Sequence, residues 1–190
     1  MDASPTRDTG PTDAIAALRA RPLFLAAALL AAMASRLLPH PPNFTPLGAC
    51  ALFGGACVAD RRAAFALTLG SLALSDFLLG FHALSPVVYG CFALQVGVGM
   101  RLRPRRRPLT IACATLLGSC LFFVITNGAF AFAVYPRTLV GLAECYAAAV
   151  PFFGYTLLGD MTFAALLFGT LAVAEGWLPA LRELRAPLPA

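Results

Sequence analysis

The sequence predicts an all-α membrane protein, built as a bundle of six transmembrane helices. Of its 190 residues 59 % are hydrophobic, against ~45–50 % in soluble domains, and the mean hydropathy is +0.79. Charged residues make up only 12 % of the chain, and they stand in short clusters between long apolar runs. The chain is therefore expected to have most of its length inside a bilayer.

Six apolar runs are candidate membrane segments, because about 20 apolar residues are needed to cross a hydrocarbon layer of ~30 Å. The second run is short and rich in glycine and alanine, which let helices approach closely in lipid, so we expect a central helix. The fifth is long enough to tilt. The sixth is expected to begin at Pro151, since proline suits the first turn of a helix. The runs are residues 22–38, 45–58, 63–81, 86–100, 109–134 and part of 147–178.

The six runs predict one membrane domain, residues 22–178, between two cytoplasmic tails. The tails are residues 1–21, predicted to be disordered, and residues 179–190. Residues 23–35 also have the apolar core and small residues of a signal peptide. Three aspartates precede that core, at Asp2, Asp8 and Asp13, and they favour a helix that is retained.

The arginines predict the orientation of the bundle. All fourteen basic residues are arginine, and if every segment crosses, only Arg36 and Arg137 lie opposite the other twelve. Short loops rich in basic residues stay in the cytoplasm, so both termini are predicted to be cytoplasmic. The arginine-rich loop 101–107 has no interleaved aromatic residue. It therefore fits contact with anionic lipid better than contact with nucleic acid.

Polar residues cluster in the half of the bilayer opposite the arginines. Asp76, Tyr89 and Asn127 fall in the outer parts of their segments, and Asp160 lies nearer the midplane, whereas the inner half holds little besides Glu175. Polar groups inside a membrane usually face the bundle interior or a water-filled cavity. The asymmetry predicts a cavity that opens to the outer face.

The outer loop before the second segment is rich in proline and carries Arg36, His40 and Asn43. Thr45 followed by Pro46 predicts an N-cap and first helical turn. The N–H groups at the start of that helix, near Gly48, would then favour an anionic or carbonyl group of a ligand. The alternative is a rigid turn whose polar atoms satisfy only its own backbone.

No cofactor or metal site is predicted. His40 and His82 lie in separate loops, and the six cysteines show no CxxC spacing and mostly sit in apolar segments, where cysteine behaves as a small hydrophobe. No phosphate-binding loop of the form GxxxxGK[ST] occurs, so any ATP hydrolysis would come from partner subunits.

The chain from residue 21 to 176 resembles a bacterial family of six-helix membrane proteins of unknown function. The resemblance rests first on the long stretch RLLPHPPNFTPLGACALFGGA at residues 36–56. Further matches are LSD at 74–76 with Gly80, VY at 88–89, YP at 135–136, GL at 141–142, PFF at 151–153 and GD at 159–160.

That family in turn resembles the substrate-binding S components of energy-coupling-factor vitamin transporters. The resemblance implies six helices with cytoplasmic termini in the inner membrane and a pocket near the outer face. It also implies that small residues on the first helix, Ala27 and Ala31, meet a transmembrane coupling subunit that works with ATPases. From the residues alone, this stripe could equally pack inside the chain.

The sequence therefore predicts a membrane-embedded binding protein for uptake of a small organic nutrient, such as a vitamin, and not an enzyme. Two alternatives remain: an intramembrane enzyme using Asp76 and Asp160 as an acid–base pair, or an assembly subunit without a ligand. In the assembly subunit the outer polar groups would only stabilise the bundle. Asp76 and Asp160 could also be structural in a binding protein, where they would pair with Arg36 or with backbone groups. The expected substrate-binding residues are Arg36, His40, Asn43, Thr45, Gly48, Asp76, Tyr89, Asn127 and Asp160.

Overall fold

The computed structural model describes residues 11–182 of the chain, with side chains from residue 20 onward. The predicted all-α class is confirmed, since the described residues form helices joined by loops and include no strand. Two short 3₁₀ helices, Ser35–Leu37 and Pro179–Leu181, accompany the α-helices. The α-helices are α1 (Pro11–Ala34), α2 (Leu47–Cys57), α3 (Arg61–Leu79), α4 (Ser85–Leu102), α5 (Pro108–Val134) and α6 (Leu139–Trp177).

Several of these helices suit a membrane. Among the described residues, four helical stretches are long and apolar enough to cross one: Ala20–Leu37, Arg61–Leu79, Pro108–Val134 and Leu139–Trp177. The chain is thus a multi-pass membrane protein by length and composition. Helix α2 has 11 residues and covers roughly 16 Å, about half of the hydrocarbon layer.

Two helices, α1 and α6, begin more than ten residues before their predicted starts. Helix α1 starts at Pro11 and contains Pro22, so the structure has helix over part of the predicted tail, whose first ten residues lie outside the described part. The predicted start of the sixth helix at Pro151 is wrong, because α6 begins at Leu139 and runs through that proline. The Thr138 hydroxyl caps α6 by accepting a hydrogen bond from the Gly141 N–H at 3.1 Å. Membrane helices tolerate proline because neighbouring groups satisfy the freed backbone.

The helices alternate in direction, which gives the bundle two distinct ends. At one end Arg21, near the start of α1, contacts Glu175 near the end of α6 at 2.6 Å and also the Leu181 carbonyl. This end, called the Arg103 end, holds both described termini and the loops 58–60 and 103–107. The other, the Asn43 end, holds the loops 38–46, 80–84 and 135–138.

Helix α2 lies at the centre of the bundle, as predicted. All its residues from Gly48 to Cys57 are buried. Its close packing against α4 depends on glycines: a Cβ at Gly55 would overlap the Val96 carbonyl, and one at Gly99 would overlap the Leu52 carbonyl. The small residues of α2 therefore set the distance between these two helices.

The C-terminal end of α2 is held by one arginine at the end of α4. The Arg103 guanidinium donates hydrogen bonds to the carbonyls of Gly55, Val58 and Ala59 at 3.0, 2.6 and 2.8 Å. Carbonyls at a helix C-terminus lack intrahelical partners and carry partial negative charge. A single cation thus stabilises the end of a helix too short to reach the surface alone.

Candidate functional site

The first polar cluster at the Asn43 end joins three predicted site residues. The Arg36 guanidinium lies 2.7 Å from one oxygen of the Asp76 carboxylate, and the Tyr89 hydroxyl donates to the other oxygen at 3.1 Å. Arg36 also donates to the Ser75 hydroxyl. Arg36 follows α1, Asp76 lies in the last turns of α3, and Tyr89 lies near the start of α4. The cluster therefore ties three helix ends together.

The second cluster surrounds Asp160, which is 3 % exposed. The Ser119 hydroxyl donates to its carboxylate at 2.7 Å, and the backbone N–H groups of Gly48 and Ala49 donate to it as well. A Cβ at Gly48 would stand 2.5 Å from both carboxylate oxygens, so only glycine allows this approach. Asp160 on α6 therefore supplies the negative charge that the N-terminal end of α2 favours.

The predicted N-cap at Thr45 is wrong. The N-cap position of α2 is Pro46, whose side chain makes no capping hydrogen bond. Thr45 instead donates its own N–H to the Asn43 carbonyl at 3.0 Å. The capping group comes from α6, because the Asp160 carboxylate reaches the N–H groups that a threonine hydroxyl was expected to satisfy.

Both places where a ligand anion was expected are thus taken by carboxylates of the protein itself. Arg36 is paired with Asp76, and the start of α2 is paired with Asp160. The two aspartates share no hydrogen-bond partner among the described residues. Of the interpretations left open by the sequence, the structural role of the two aspartates has these contacts in its favour.

His40 belongs to neither cluster. It is exposed, and its Nδ1 lies 3.0 Å from the neighbouring Pro41 carbonyl. The described residues contain no group of three histidine, cysteine, aspartate or glutamate side chains placed to hold a metal ion.

A cavity of about 280 Å³ lies at the Asn43 end, between α4, α5, α6 and two loops. It includes Asn43 and Asn127 from the predicted site, but not Arg36, Asp76 or Asp160. No lining residue is acidic or an arginine. The lining residues are Asn43, His82, Leu84, Val88, Phe122, Phe123, Thr126, Asn127, Phe130, Ala149, Phe152, Phe153 and Thr156.

The polar groups on the helical walls of this cavity are mainly acceptors. The hydroxyls of Thr126 and Thr156 donate to carbonyls one turn earlier, at 2.7 and 3.1 Å. The Asn127 amide nitrogen does the same to the Phe123 carbonyl at 2.8 Å. Each threonine hydroxyl has one hydrogen to donate, so these oxygens keep lone pairs for a ligand that donates hydrogen bonds.

Aromatic contacts make the rest of the wall. The Phe123 ring lies 4.9 Å from the Phe153 ring and 5.5 Å from the Tyr146 ring. Phe122 stacks on Phe92 at 5.3 Å. Ring pairs at these distances stabilise one another and form an apolar surface against which a small organic molecule can pack.

The sequence interpretation missed the threonines and phenylalanines of the cavity. Threonine in an apolar helix is a weak indicator of a binding site, because its hydroxyl commonly bonds the backbone of its own helix. The available signals were the pair Thr126–Asn127 in an apolar run and the two double phenylalanines, Phe122–Phe123 and Phe152–Phe153. None of these signals predicts that α5 and α6 face one another.

The two alanines predicted to meet a partner lie on the outside of α1. Ala27 and Ala31 are exposed, whereas Ala32 is buried and Ala28 is partly buried. The stripe Ala27-xxx-Ala31 therefore does not pack inside the described part of the chain.

The model of a family of unknown function, DUF6580, matches residues 16–181. No curated protein and no solved structure matches the chain.

Proposed function

The chain belongs to the family of unknown function DUF6580, and we propose that it is a membrane-embedded protein that binds a small organic nutrient for uptake. The binding site is the cavity at the Asn43 end. One observation carries the proposal. Hydrogen-bond acceptors on Thr126, Asn127 and Thr156 lie among aromatic rings, outside the two polar clusters around Asp76 and Asp160. An apolar pocket with a few placed polar groups is the usual form of a small-molecule site.

The ligand is expected to be small, neutral or weakly basic, and equipped with hydrogen-bond donors. The volume of about 280 Å³ is just below the ~300–1,000 Å³ typical of ligand pockets. Among the described residues, no carboxylate or guanidinium lines the cavity, so a strongly charged ligand would lose its hydration without gaining a counter-charge from them. Nutrients with a heteroaromatic ring and N–H or O–H groups meet these conditions.

Some of the other predicted site residues hold helices that line the cavity. Arg36, Asp76 and Tyr89 hold the ends of α1, α3 and α4 together. Asp160 on α6 accepts a hydrogen bond from the Ser119 hydroxyl on α5 at 2.7 Å, and this bond joins two helices of the cavity wall. Helices joined in this way lose less freedom when a ligand binds, which lowers the ordering cost of binding.

Uptake also needs an orientation and a partner. In this proposal the Arg103 end faces the cytoplasm, all six helices belong to the membrane domain, and the Asn43 end opens to the outer face of the inner membrane, as the arginine bias favours. The exposed face of α1 with Ala27 and Ala31 meets a transmembrane coupling subunit served by ATPases, in the manner of energy-coupling-factor S components.

The test is mass spectrometry of small molecules released from detergent-purified protein, followed by binding measurements with the compound found. Thr126→Val and Thr156→Val remove acceptors while keeping the side-chain shape, and each should weaken binding about 5- to 30-fold, since a lost hydrogen bond costs ~1–2 kcal/mol. Thr115→Val is the matched control: its hydroxyl makes the same bond one turn back, to Ile111 at 2.9 Å, but it does not line this cavity.

Each outcome separates the candidate functions. A compound bound by the native protein and by Thr115→Val, but weakly by the two cavity variants, supports the binding protein. A well-folded native protein that carries no compound contradicts it and favours the ligand-free assembly subunit. Conversion of a bound compound that stops in Asp76→Asn favours the intramembrane enzyme instead.

A further inference from the structure

A second, larger cavity lies toward the Arg103 end, in a groove between the first half of α5 and the last half of α6. Its volume is about 550 Å³. Most of its wall is apolar, and the few polar residues are Arg106, Thr115 and Glu175. The full lining is Arg106, Pro108, Ile111, Ala112, Thr115, Met161, Ala164, Ala165, Phe168, Gly169, Leu171, Ala172 and Glu175.

The groove exists because small residues line its open side. Ala165, Gly169 and Ala172 on α6 are exposed, and a Cβ at Gly169 would meet nothing within 4 Å. The floor consists of buried core residues, among them Ala164, Leu171 and Phe168. In a chain whose helices cross a bilayer, an open apolar furrow between two helices faces the acyl chains of lipids.

The end of the groove nearest the loop 103–107 is rich in positive charge. Arg106 lines it, and the exposed Arg105 and Arg107 immediately precede Pro108, another lining residue. Among the described residues, no salt bridge involves Arg105 or Arg107. The one carboxylate of the lining, Glu175, is engaged by Arg21 at 2.6 Å.

We propose that this groove is a binding site for an anionic phospholipid. One acyl chain lies along the apolar wall of α5 and α6, and the phosphate lies beside Arg105 and Arg107 at the membrane surface. Charge complementarity selects this occupant: an apolar wall suits any lipid tail, but the exposed Arg105 and Arg107 at one end favour a negative headgroup over a zwitterionic one. The site is separate from the cavity at the Asn43 end and does not depend on the function proposed for it.

The experiment measures which lipids the purified full-length protein retains after exchange with vesicles. The vesicles contain equal amounts of dioleoyl phosphatidylglycerol and dioleoyl phosphatidylcholine, and retained lipids are counted by native mass spectrometry. The native protein should retain phosphatidylglycerol in clear excess. Arg105→Gln with Arg107→Gln should lower that preference by about fivefold for each arginine, the size expected of one basic residue near an anionic surface.

Arg61→Gln with Arg62→Gln is the matched control. It removes the same charge from exposed arginines at the same end of the bundle, but at the start of α3, which does not line the groove. Its lipid preference should equal that of the native protein. An equal loss in both double variants would overturn the proposal, because it would show a general effect of surface charge.

A second pair of variants tests the groove itself. Gly169→Phe fills the furrow and should reduce the retained phosphatidylglycerol at least fivefold. Gly154→Phe introduces the same ring elsewhere on α6, where a Cβ also meets nothing within 4 Å, and should retain it. Three outcomes would contradict an anionic-lipid site. The native protein could retain both lipids equally, Gly169→Phe could retain as much phosphatidylglycerol as the native protein, or a protein helix could copurify in place of lipid.

Discussion

At the scale of single residues, the two buried aspartates act as partners for groups of the protein itself. Asp76 neutralises Arg36, and Asp160 accepts hydrogen bonds from Ser119 and from the start of α2. Water is absent from the bilayer core, so each unsatisfied N–H there would cost several kcal/mol. A carboxylate at a helix N-terminus removes this cost and also meets the positive end of the helix dipole.

We predict that Asp160→Asn lowers the free energy of unfolding by ~1.5–3 kcal/mol, the range for hydrogen bonds to a charged group. The new amide nitrogen is a donor and meets donors at Gly48 and Ala49. The measurement is a denaturant titration of the detergent-solubilised protein, followed by circular dichroism.

Asp60→Asn is the control for this prediction. Asp60 caps α3 by accepting a hydrogen bond from the Ala63 N–H at 2.7 Å, and asparagine caps a helix about as well as aspartate. Its unfolding midpoint should stay close to that of the native protein. Midpoints that fall equally in both variants would mean that the charge of Asp160 has no special role.

At the scale of elements, α2 is stabilised almost wholly by its neighbours. With 11 residues it would be marginal as an isolated helix. Asp160 holds its first turn, Arg103 holds its last carbonyls, and α4 packs along its side through Gly55 and Gly99. Its position is therefore decided by contacts rather than by helix propensity.

We predict that Gly99→Ala destabilises the protein by ~1–3 kcal/mol, the usual cost of overpacking. The added methyl group would overlap the Leu52 carbonyl, so α2 and α4 would have to move apart. Gly97→Ala on the same helix is the control, since a Cβ there meets nothing within 4 Å. It should be neutral or stabilising by up to ~1 kcal/mol, because alanine is the better helix former. The measurement is thermal unfolding of the two variants under the same conditions. Similar losses of stability in both would argue against close α2–α4 packing.

At the scale of the whole molecule, arginines and polar clusters divide between the two ends of the bundle. The Arg103 end carries the loop arginines and the contact of Arg21 with Glu175, and the Asn43 end carries the smaller cavity and the Arg36–Asp76 pair. Both described termini lie at the Arg103 end. The orientation of the chain is therefore given by which side of the membrane the Arg103 end faces.

We predict that the two ends face opposite sides of the membrane, with the Arg103 end in the cytoplasm. Single cysteines replacing Arg62 and Arg137, which are exposed at opposite ends, are introduced into a variant without the native cysteines. A membrane-impermeant maleimide should label position 137 on intact cells, and position 62 only after permeabilisation. Labelling of both positions from the same side would contradict this topology.

The sequence by itself determined the class of protein, the approximate extent of most helices and the uneven distribution of arginine. These features follow from local composition: an apolar run long enough to cross a bilayer forms a helix whatever its neighbours are. The same reasoning correctly placed α2 at the centre, because a run such as Gly54–Gly55–Ala56 is suited only to close packing.

Only the tertiary structure decided what the polar residues do. The sequence predicted that Arg36 and the start of α2 bind an anionic group of a ligand. In the structure Asp76 and Asp160, from distant parts of the chain, occupy these two places. The cavity wall contains Thr126 of α5 and Thr156 of α6. Each hydroxyl donates to a carbonyl of its own helix, so neither residue indicates a binding site in the sequence. Whether a polar side chain faces a ligand or a partner depends on which helices meet and at what height, and that is a property of packing rather than of any one segment.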